Sequence, residues 1–175
     1  MKQDVARFMC RGSSAVLLLA IASSIAVPAM ARDVLGVFNR WGAFRDAPEA
    51  RCYAVAEPID WRDPKRIWSP FASIGFWPRQ QVRGQVSITL SRALQKDSMA
   101  TLVVGAQRFQ LSGKDANVWA KDRQDDAAIV AALRSGGTMS VHGRASSGQT
   151  FADHYELRGA ATAIDAAALG CARLR

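Results

Sequence analysis

The sequence predicts an all-β fold, mainly antiparallel and arranged as a sandwich or a partly open barrel, with two short α-helices. Three observations support this prediction. Short runs of alternating apolar and polar residues recur along the chain, which is typical of half-buried strands. Turn-forming residues separate these runs at short intervals. Helical patterns occur in two short segments, at residues 127–133 and 159–169.

The first 31 residues have the composition of an export signal. Three basic residues precede an apolar run at residues 15–27, which is too short to cross a bilayer comfortably. The motif Ala29-Met30-Ala31 predicts cleavage after Ala31, and an uncleaved membrane anchor is the alternative. Cleavage leaves residues 32–175 as one β-rich domain without a transmembrane span. Its predicted location is the periplasm or the cell surface.

The charge of the chain indicates the chemistry of its partners. The formal net charge is +8, and removal of the leader, with its three basic residues and Asp4, leaves +6. A basic protein favours anionic partners. The expected partner is therefore an anionic envelope polymer, a lipid head group or an envelope protein. No specific nucleic acid and no cofactor are predicted.

Two cysteines, Cys52 and Cys171, remain once Cys10 has left with the leader. In an exported protein two cysteines most simply form a disulfide, and free thiols are the alternative. The bond would tie the early part of the domain to its last residues, and it would contribute about 4 kcal/mol by the chain-entropy model. No metal site is predicted, because no second Cys or His lies at ligand spacing near either cysteine.

Alternation and turn residues locate the strands. Four prolines between residues 58 and 78 exclude a continuous central strand there, so residues 71–77 are predicted as an edge strand. The run at 85–92 alternates most clearly, with Val86, Ile88 and Leu90 on one face. The predicted strands, in chain order, are 34–44 (one strand or an irregular pair), 52–56, 71–77, 85–92, 100–104, 107–111, 118–120, 138–144 and 150–157.

Both helices are recognised by composition. In the first, Asp125 and Asp126 are expected to cap the exposed amides at its start. Gly136 and Gly137 are expected to end it in the left-handed conformation. The second is rich in alanine and precedes Cys171, which is expected to dock it.

The segment between residues 58 and 83 combines prolines, aromatic rings and basic side chains. Such a segment suits contact with a sugar, a membrane surface or single-stranded nucleic acid, because rings stack and guanidinium groups meet anions. The alternative, which composition favours, is a connection whose rings cover the open end of the core. The predicted contact residues are Trp61, Arg62, Arg66, Trp68 and Arg79.

Three titratable residues near the end of the chain are the candidates for acid–base chemistry. His142 and His154 fall on the outward face of their strands, where imidazoles are usually ordinary surface groups. Asp153 falls on the apolar face and needs a partner there, either Arg144, Arg158 or backbone amides. A structural role is favoured over a catalytic one. The alternative function is a small envelope hydrolase or isomerase that uses Asp153 with His154 or His142.

Several short motifs resemble the invasion-associated locus B family of exported bacterial proteins. The residues that carry the resemblance are Arg108-Phe109-Gln110-Leu111, Trp119, residues 126–136, Met139-Ser140-Val141-His142-Gly143, residues 153–159, residues 163–167 and Cys171. They extend over about two thirds of the chain that follows the leader. In the first half, Phe44 stands where many family members have the first of two nearby cysteines, which favours the long Cys52–Cys171 bond.

The resemblance implies a small β-rich protein of the Gram-negative cell envelope, with a binding or structural role. It implies no catalytic residues. The sequence therefore predicts a non-catalytic protein of the periplasm or cell surface.

Overall fold

In the described part of the chain, ten antiparallel strands form one continuous sheet and two α-helices pack against it. The computed structural model describes residues 32–59, 61, 68–172 and 174. The predicted leader lies outside the described residues, as do Arg62 and Arg66. The predicted fold class, mainly antiparallel all-β with two short helices, is confirmed.

The strands are joined mostly by tight turns, so neighbours in sequence are often neighbours in the sheet. Across the sheet they follow the order β1-β2-β3-β4-β5-β8-β7-β6-β9-β10. The strands are β1 (Arg32–Phe38), β2 (Trp41–Asp46), β3 (Arg51–Ala56), β4 (Phe71–Trp77), β5 (Val82–Thr89), β6 (Ala100–Val104), β7 (Gln107–Lys114), β8 (Asn117–Ala120), β9 (Thr138–Arg144) and β10 (Thr150–Glu156). The helices are α1 (Arg123–Ser135) and α2 (Ala160–Ala172).

The sheet curls so that its two ends approach each other without closing into a barrel. The indole N–H of Trp41 in β2 donates to the carbonyl of Glu156 in β10, at 2.9 Å. The amide of Ile59, which follows β3, donates to the carbonyl of His154 at 2.7 Å. Both bonds reach the outer strand β10, so the polar edge of that strand is partly satisfied by the opposite end of the sheet.

One face of the curled sheet supplies the core. Because successive side chains of a strand point to opposite faces, every second residue is buried. The two helices add apolar side chains to the same cluster, with Ile129 and Leu133 from α1 and Ile164 from α2. The buried apolar strand residues are Trp41, Ala43, Cys52, Ala54, Ala56, Ala72, Ile74, Val86, Ile88, Ala100, Leu102, Val104, Leu111, Val118, Met139, Val141 and Tyr155.

The predicted disulfide between Cys52 and Cys171 is confirmed. It joins the inner face of β3 to the last turn of α2, with a Cα–Cα distance of 5.6 Å, and both cysteines are buried. Helix α2 packs across β1 to β5. Small buried residues line both sides of this contact, such as Ala43 and Ala54 on the sheet and Ala163 on the helix, so the two backbones can approach closely.

Strand β4 corrects the prediction of an edge strand at residues 71–77. It lies between β3 and β5 and pairs with both, so it is central. The prolines do not interrupt it, because Pro70 immediately precedes it and Pro78 immediately follows it. The prediction was wrong because both prolines lie just outside the ends of this strand, where they remove no hydrogen bond between strands.

Helix α1 also begins and ends differently from the prediction. Asp122, not Asp125 or Asp126, is the N-cap, and its carboxylate accepts from the amides of Gln124 and Asp125. Asp126 instead accepts from the amide of Val86 in β5 at 2.8 Å. It therefore ties the helix to the sheet.

The end of α1 requires a glycine for space and not for a left-handed turn. Gly136 has φ −79° and ψ 157°, an extended conformation that any residue can adopt. A Cβ atom on Gly136 would lie 2.7 Å from the side chain of Val104 and 2.9 Å from that of Leu157. The glycine thus allows α1 to leave the core between two packed side chains.

We expect loss of the disulfide to destabilise the protein by about 4 kcal/mol, because the bond closes a loop between residues 119 positions apart. Urea unfolding of the wild type with and without a thiol reductant measures this difference. The double variant Cys52→Ala/Cys171→Ala is the control, since its midpoint should not respond to the reductant. An equal response of both proteins would contradict a stabilising role for the bond.

Candidate functional site

The structure places the predicted contact residues Trp61, Trp68 and Arg79 in different surroundings. The indole of Trp68 donates to the carbonyl of Leu90 at 2.9 Å and is half-buried, as expected for a ring that covers one end of the core. Trp61 is also half-buried. Arg79 lies in a 3₁₀ turn at the other end of β4, about 20 Å away along a seven-residue strand. Trp68 and Arg79 therefore do not form one surface.

Two other rings of the same segment do take part in a cleft. Phe71 and Trp77, at the two ends of β4, line a groove of about 520 Å³ on the outer face of β2 to β5. Phe44 and Tyr53 from β2 and β3 complete the aromatic lining, and their rings stack at 5.6 Å. The remaining lining residues are Arg32, Arg51, Val55, Ser73 and Ser87. We call this groove the outer cleft.

Two glycines determine how rings of the outer cleft lie. A Cβ atom on Gly75 would lie 2.3 Å from the indole of Trp77, and one on Gly42 would lie 2.7 Å from the ring of Phe44. Each ring therefore leans along its own strand onto a glycine two positions earlier. The two glycines thus leave room for these rings close to the surface of the sheet.

Arginine side chains surround Tyr53. The guanidinium groups of Arg32 and Arg51 lie 5.7 and 5.3 Å from the centre of the Tyr53 ring, within cation–π range. Burial raises the pKa of the Tyr53 hydroxyl, although the two nearby cations oppose this shift. The phenol therefore stays neutral at physiological pH and can donate or accept a hydrogen bond in the cleft.

The two arginines differ in their partners. Arg51 pairs with Asp46 at 2.9 Å and with Glu49 at 3.4 Å, so carboxylates already neutralise its charge. Asp46 is only 6% exposed and is held by this pair. Arg32 makes no ion pair with any residue that the structure describes. Arg32 is therefore the arginine of the outer cleft without a salt bridge among the described residues, although Asp46 and Glu49 together carry as much negative charge as the two arginines carry positive charge.

The signal for the outer cleft was present in the sequence but was not interpreted. Gly42-Ala43-Phe44 and Gly75-Phe76-Trp77 share a glycine–x–aromatic pattern, which places the ring over the glycine on a strand. Tyr53 alternates with Cys52 and Ala54 on β3 and so faces outward. Sequence reasoning missed the site because it did not establish that β3 and β4 are neighbours.

The two histidines lie on the outer face of β9 and β10, as predicted. Their ring centres are 6.4 Å apart, and Ser140 Oγ lies 2.8 Å from His142 Nε2. Both imidazoles are exposed. His154 and Ser140 also line a small pocket of about 290 Å³ near Ile59.

Asp153 is buried on the opposite, inner face of β10, as predicted. Its partner is not Arg144 or Arg158 but the backbone of Ser91, whose amide donates to its carboxylate at 2.8 Å. The amide alternative is thus confirmed. The sheet separates Asp153 from the imidazoles of His142 and His154, so the three groups do not face a common cleft.

The inner position of Asp153 changes its acidity. Burial raises the pKa of its carboxyl, and hydrogen bonds from Ser91 only partly oppose this effect. Tyr155, two residues further along the same face, is fully buried, and its hydroxyl has no hydrogen-bond partner among the described residues. These groups form a polar spot inside an otherwise apolar core.

The described residues hold neither a group of metal ligands nor a helix that could span a membrane. No three residues of the types His, Cys, Asp and Glu come together as metal ligands within 32–59, 61, 68–172 and 174. Neither α1 nor α2 is long and apolar enough to span a membrane, and no other helix in the described ranges is.

In comparisons with known proteins, no family model matches the chain, and no curated protein or solved structure matches it either.

We expect the difference in the free energy of unfolding between Asp153→Asn and the wild type to favour the variant more at pH 7 than at pH 4. The raised pKa of Asp153 means that the folded state binds a proton more tightly than the unfolded chain, so wild-type stability falls as the pH rises from 3.8 through the folded-state pKa. Asparagine keeps an oxygen that can accept from the Ser91 amide but does not ionise. Urea unfolding of both proteins across this range is the measurement, and a pH-independent difference would contradict the proposal that burial penalises the carboxylate.

Proposed function

We propose that the protein is an exported, non-catalytic binding protein of the cell envelope, of the invasion-associated locus B type, and that its outer cleft binds an anionic envelope polymer. The observation that carries this proposal is the arrangement of Arg32 and Arg51 around Tyr53, beside the other aromatic rings of the outer cleft. The contact residues differ from those expected from the sequence, but the chemistry is the same.

The cleft has the two properties that such a ligand requires. Ring faces offer stacking area for the apolar side of a flat unit. Arg32, which has no salt bridge among the described residues, can attract an anionic group from its exposed position beside the Tyr53 ring. A net positive charge on the chain adds long-range attraction of the same sign.

Export is supported by the leader composition and by the disulfide. The Cys52–Cys171 bond requires an oxidising compartment, which the periplasm provides and the bacterial cytosol does not. The short motifs shared with the invasion-associated locus B family support the same location. In the structure these motifs lie mainly on β7 to β10 and on the two helices, and they combine buried core residues with exposed ones such as Trp119.

We expect Arg32→Gln and Tyr53→Ala to weaken binding to an immobilised anionic polysaccharide such as heparin by about tenfold each, which corresponds to roughly 1.4 kcal/mol. Arg32→Gln removes the unpaired charge, and Tyr53→Ala removes the ring that the two arginines flank. Elution salt concentration and the dissociation constant from titration measure the effect. Far-UV circular dichroism checks that the sheet is intact.

Arg79→Gln is the matched control, because it removes the same charge from an exposed site outside the cleft. The opposite result would be weaker binding with Arg79→Gln, or with Arg62, Lys65 and Arg66 replaced together, and unchanged binding with Arg32→Gln. It would place the contact in the segment at residues 61–83 instead. Binding to phosphatidylglycerol vesicles without binding to polysaccharide would identify a lipid head group as the partner.

We expect the protein from an envelope fraction to have the mass of a chain that begins at Arg32. We also expect this chain to contain no free thiol. The reason is that export removes the leader and exposes Cys52 and Cys171 to oxidation. Intact-mass spectrometry after alkylation, with and without prior reduction, gives both results. Full-length protein in the cytosol with both thiols alkylated would contradict export.

A further inference from the structure

A second groove continues from the outer cleft. It has a volume of about 770 Å³ and shares Phe71 with the outer cleft, since that ring lines both. Its other lining residues include Trp68, Thr89 and Asn117. Phe71 is 38% exposed, so its ring forms an open boundary between the two grooves rather than a wall of the core.

A further exposed ring lies beside this groove. Trp119 in β8 pairs with Ser87 in β5, which in turn pairs with Ser73 in β4. Ser73 and Ser87 line the outer cleft, so Trp119 lies on the same outer face in line with them. It is 41% exposed, which is a large fraction for an indole on the middle of a sheet.

The aromatic groups thus extend across the strands as well as along β4, where Phe71 and Trp77 lie at opposite ends. From Tyr53 on β3 to Trp119 on β8 the path crosses β4 and β5, so three strand spacings, or about 14 Å, separate the two strands, and the register places Trp119 two residues away from the row of Tyr53. Hydroxyl and amide groups lie between and beside the rings. Thr89 donates to Asn117 Oδ1 at 2.9 Å, which leaves the Asn117 amide nitrogen to donate to a ligand.

We propose that the ligand of the outer cleft is a linear acidic polysaccharide that lies across β3, β4, β5 and β8, with a second ring-stacking subsite at Phe71 and Trp119. This inference rests on the proposed function and deepens it by naming the ligand class. A sugar chain fits because each unit offers an apolar face to a ring and hydroxyl groups to the serine, threonine and asparagine side chains between rings.

The distribution of charge favours a polysaccharide over a single-stranded nucleic acid. A nucleic acid carries a phosphate at every unit and needs a basic groove along its whole path. Here the unpaired cation is Arg32 at one end, within the described residues, while Asp115 lines the second groove. A ligand with uniformly dense charge would therefore meet a carboxylate, whereas hydroxyl-rich sugar units would not be repelled.

Chain length separates this inference from the proposed function. The probes are the disaccharide and the hexasaccharide of hyaluronan and of unsulfated chondroitin, in which an uncharged amino sugar alternates with glucuronic acid, because a disaccharide is too short to reach from Tyr53 to Trp119. Titration calorimetry on the oxidised protein gives the dissociation constants. We expect the hexasaccharide of at least one series to bind at least about tenfold more tightly than its disaccharide.

In the variant Trp119→Ala, the hexasaccharide should lose most of its higher affinity relative to the disaccharide. The affinity for the disaccharide should be unchanged. Trp119→Phe keeps a ring face and should preserve the higher affinity for the hexasaccharide. Met99→Ala is the control for loss of an exposed apolar side chain elsewhere, since Met99 is 53% exposed and lies outside both grooves. Tyr53→Ala should weaken both lengths equally.

Other results would overturn the inference. Equal affinities for the two lengths, or a hexasaccharide affinity that Trp119→Ala does not change, would show that the ligand does not extend to Trp119. The protein could instead bind single-stranded DNA or polyphosphate but no sugar, with weaker binding in Arg32→Gln. This result would support the proposed anion-binding function and reject a polysaccharide as the ligand. No dependence on Arg32 or Tyr53 for any polyanion would reject the proposed function as well.

Discussion

The disulfide between Cys52 and Cys171 holds α2 on a part of the sheet that offers it little apolar area. The helix is rich in alanine, and the strands beneath it present Ala43, Ala54 and Ala72. Alanine allows two backbones to approach closely, but each methyl group buries only a small area. The covalent bond adds stability that the small side chains do not supply. It does so because it also limits how far these two parts of the chain can separate in the unfolded state. The inner layer of the molecule depends on this one link.

The outer face of the same strands carries several large aromatic side chains. Alanine is frequent on the buried side of β2, β3 and β4, beside Trp41 and Ile74, whereas Phe44, Tyr53, Phe71 and Trp77 lie on the outer side. Large rings contribute most to stability per residue when they are buried. Of the large rings of these strands, Trp41 is fully buried. Large rings retained on the open side, with arginine beside them, favour a binding role over a purely structural one.

Local patterns predicted much of the fold, and the reason is clear from particular strands. Val86 and Ile88 alternate with polar residues because β5 has one face in the core. The β9–β10 hairpin was predicted for the same reason, and Asp153 was correctly assigned to the buried face. The cysteine count was sufficient to predict the disulfide. In each case the signal lies within a few residues or in a simple count.

The errors concern features that depend on distant parts of the chain. Pro70 and Pro78 suggested an edge strand, but strand order, which local pattern does not contain, makes β4 central. Asp126 was assigned to its own helix, although its carboxylate meets an amide of β5 forty residues earlier. The outer cleft brings Arg32, Tyr53 and Trp77 together through the successive pairing of four strands, β1 to β4, which neither composition nor periodicity predicts.

The position of Cys171 has a consequence for biosynthesis. It follows all ten strands and nearly all of α2 in the chain, whereas its partner precedes seven of the strands. A ribosome or a secretion channel delivers the two sulfur atoms at very different times. Cys52 therefore cannot form this bond until α2 has emerged, and a polypeptide that terminates before Cys171 never acquires it. Oxidation at this pair thus marks a chain whose synthesis has included α2.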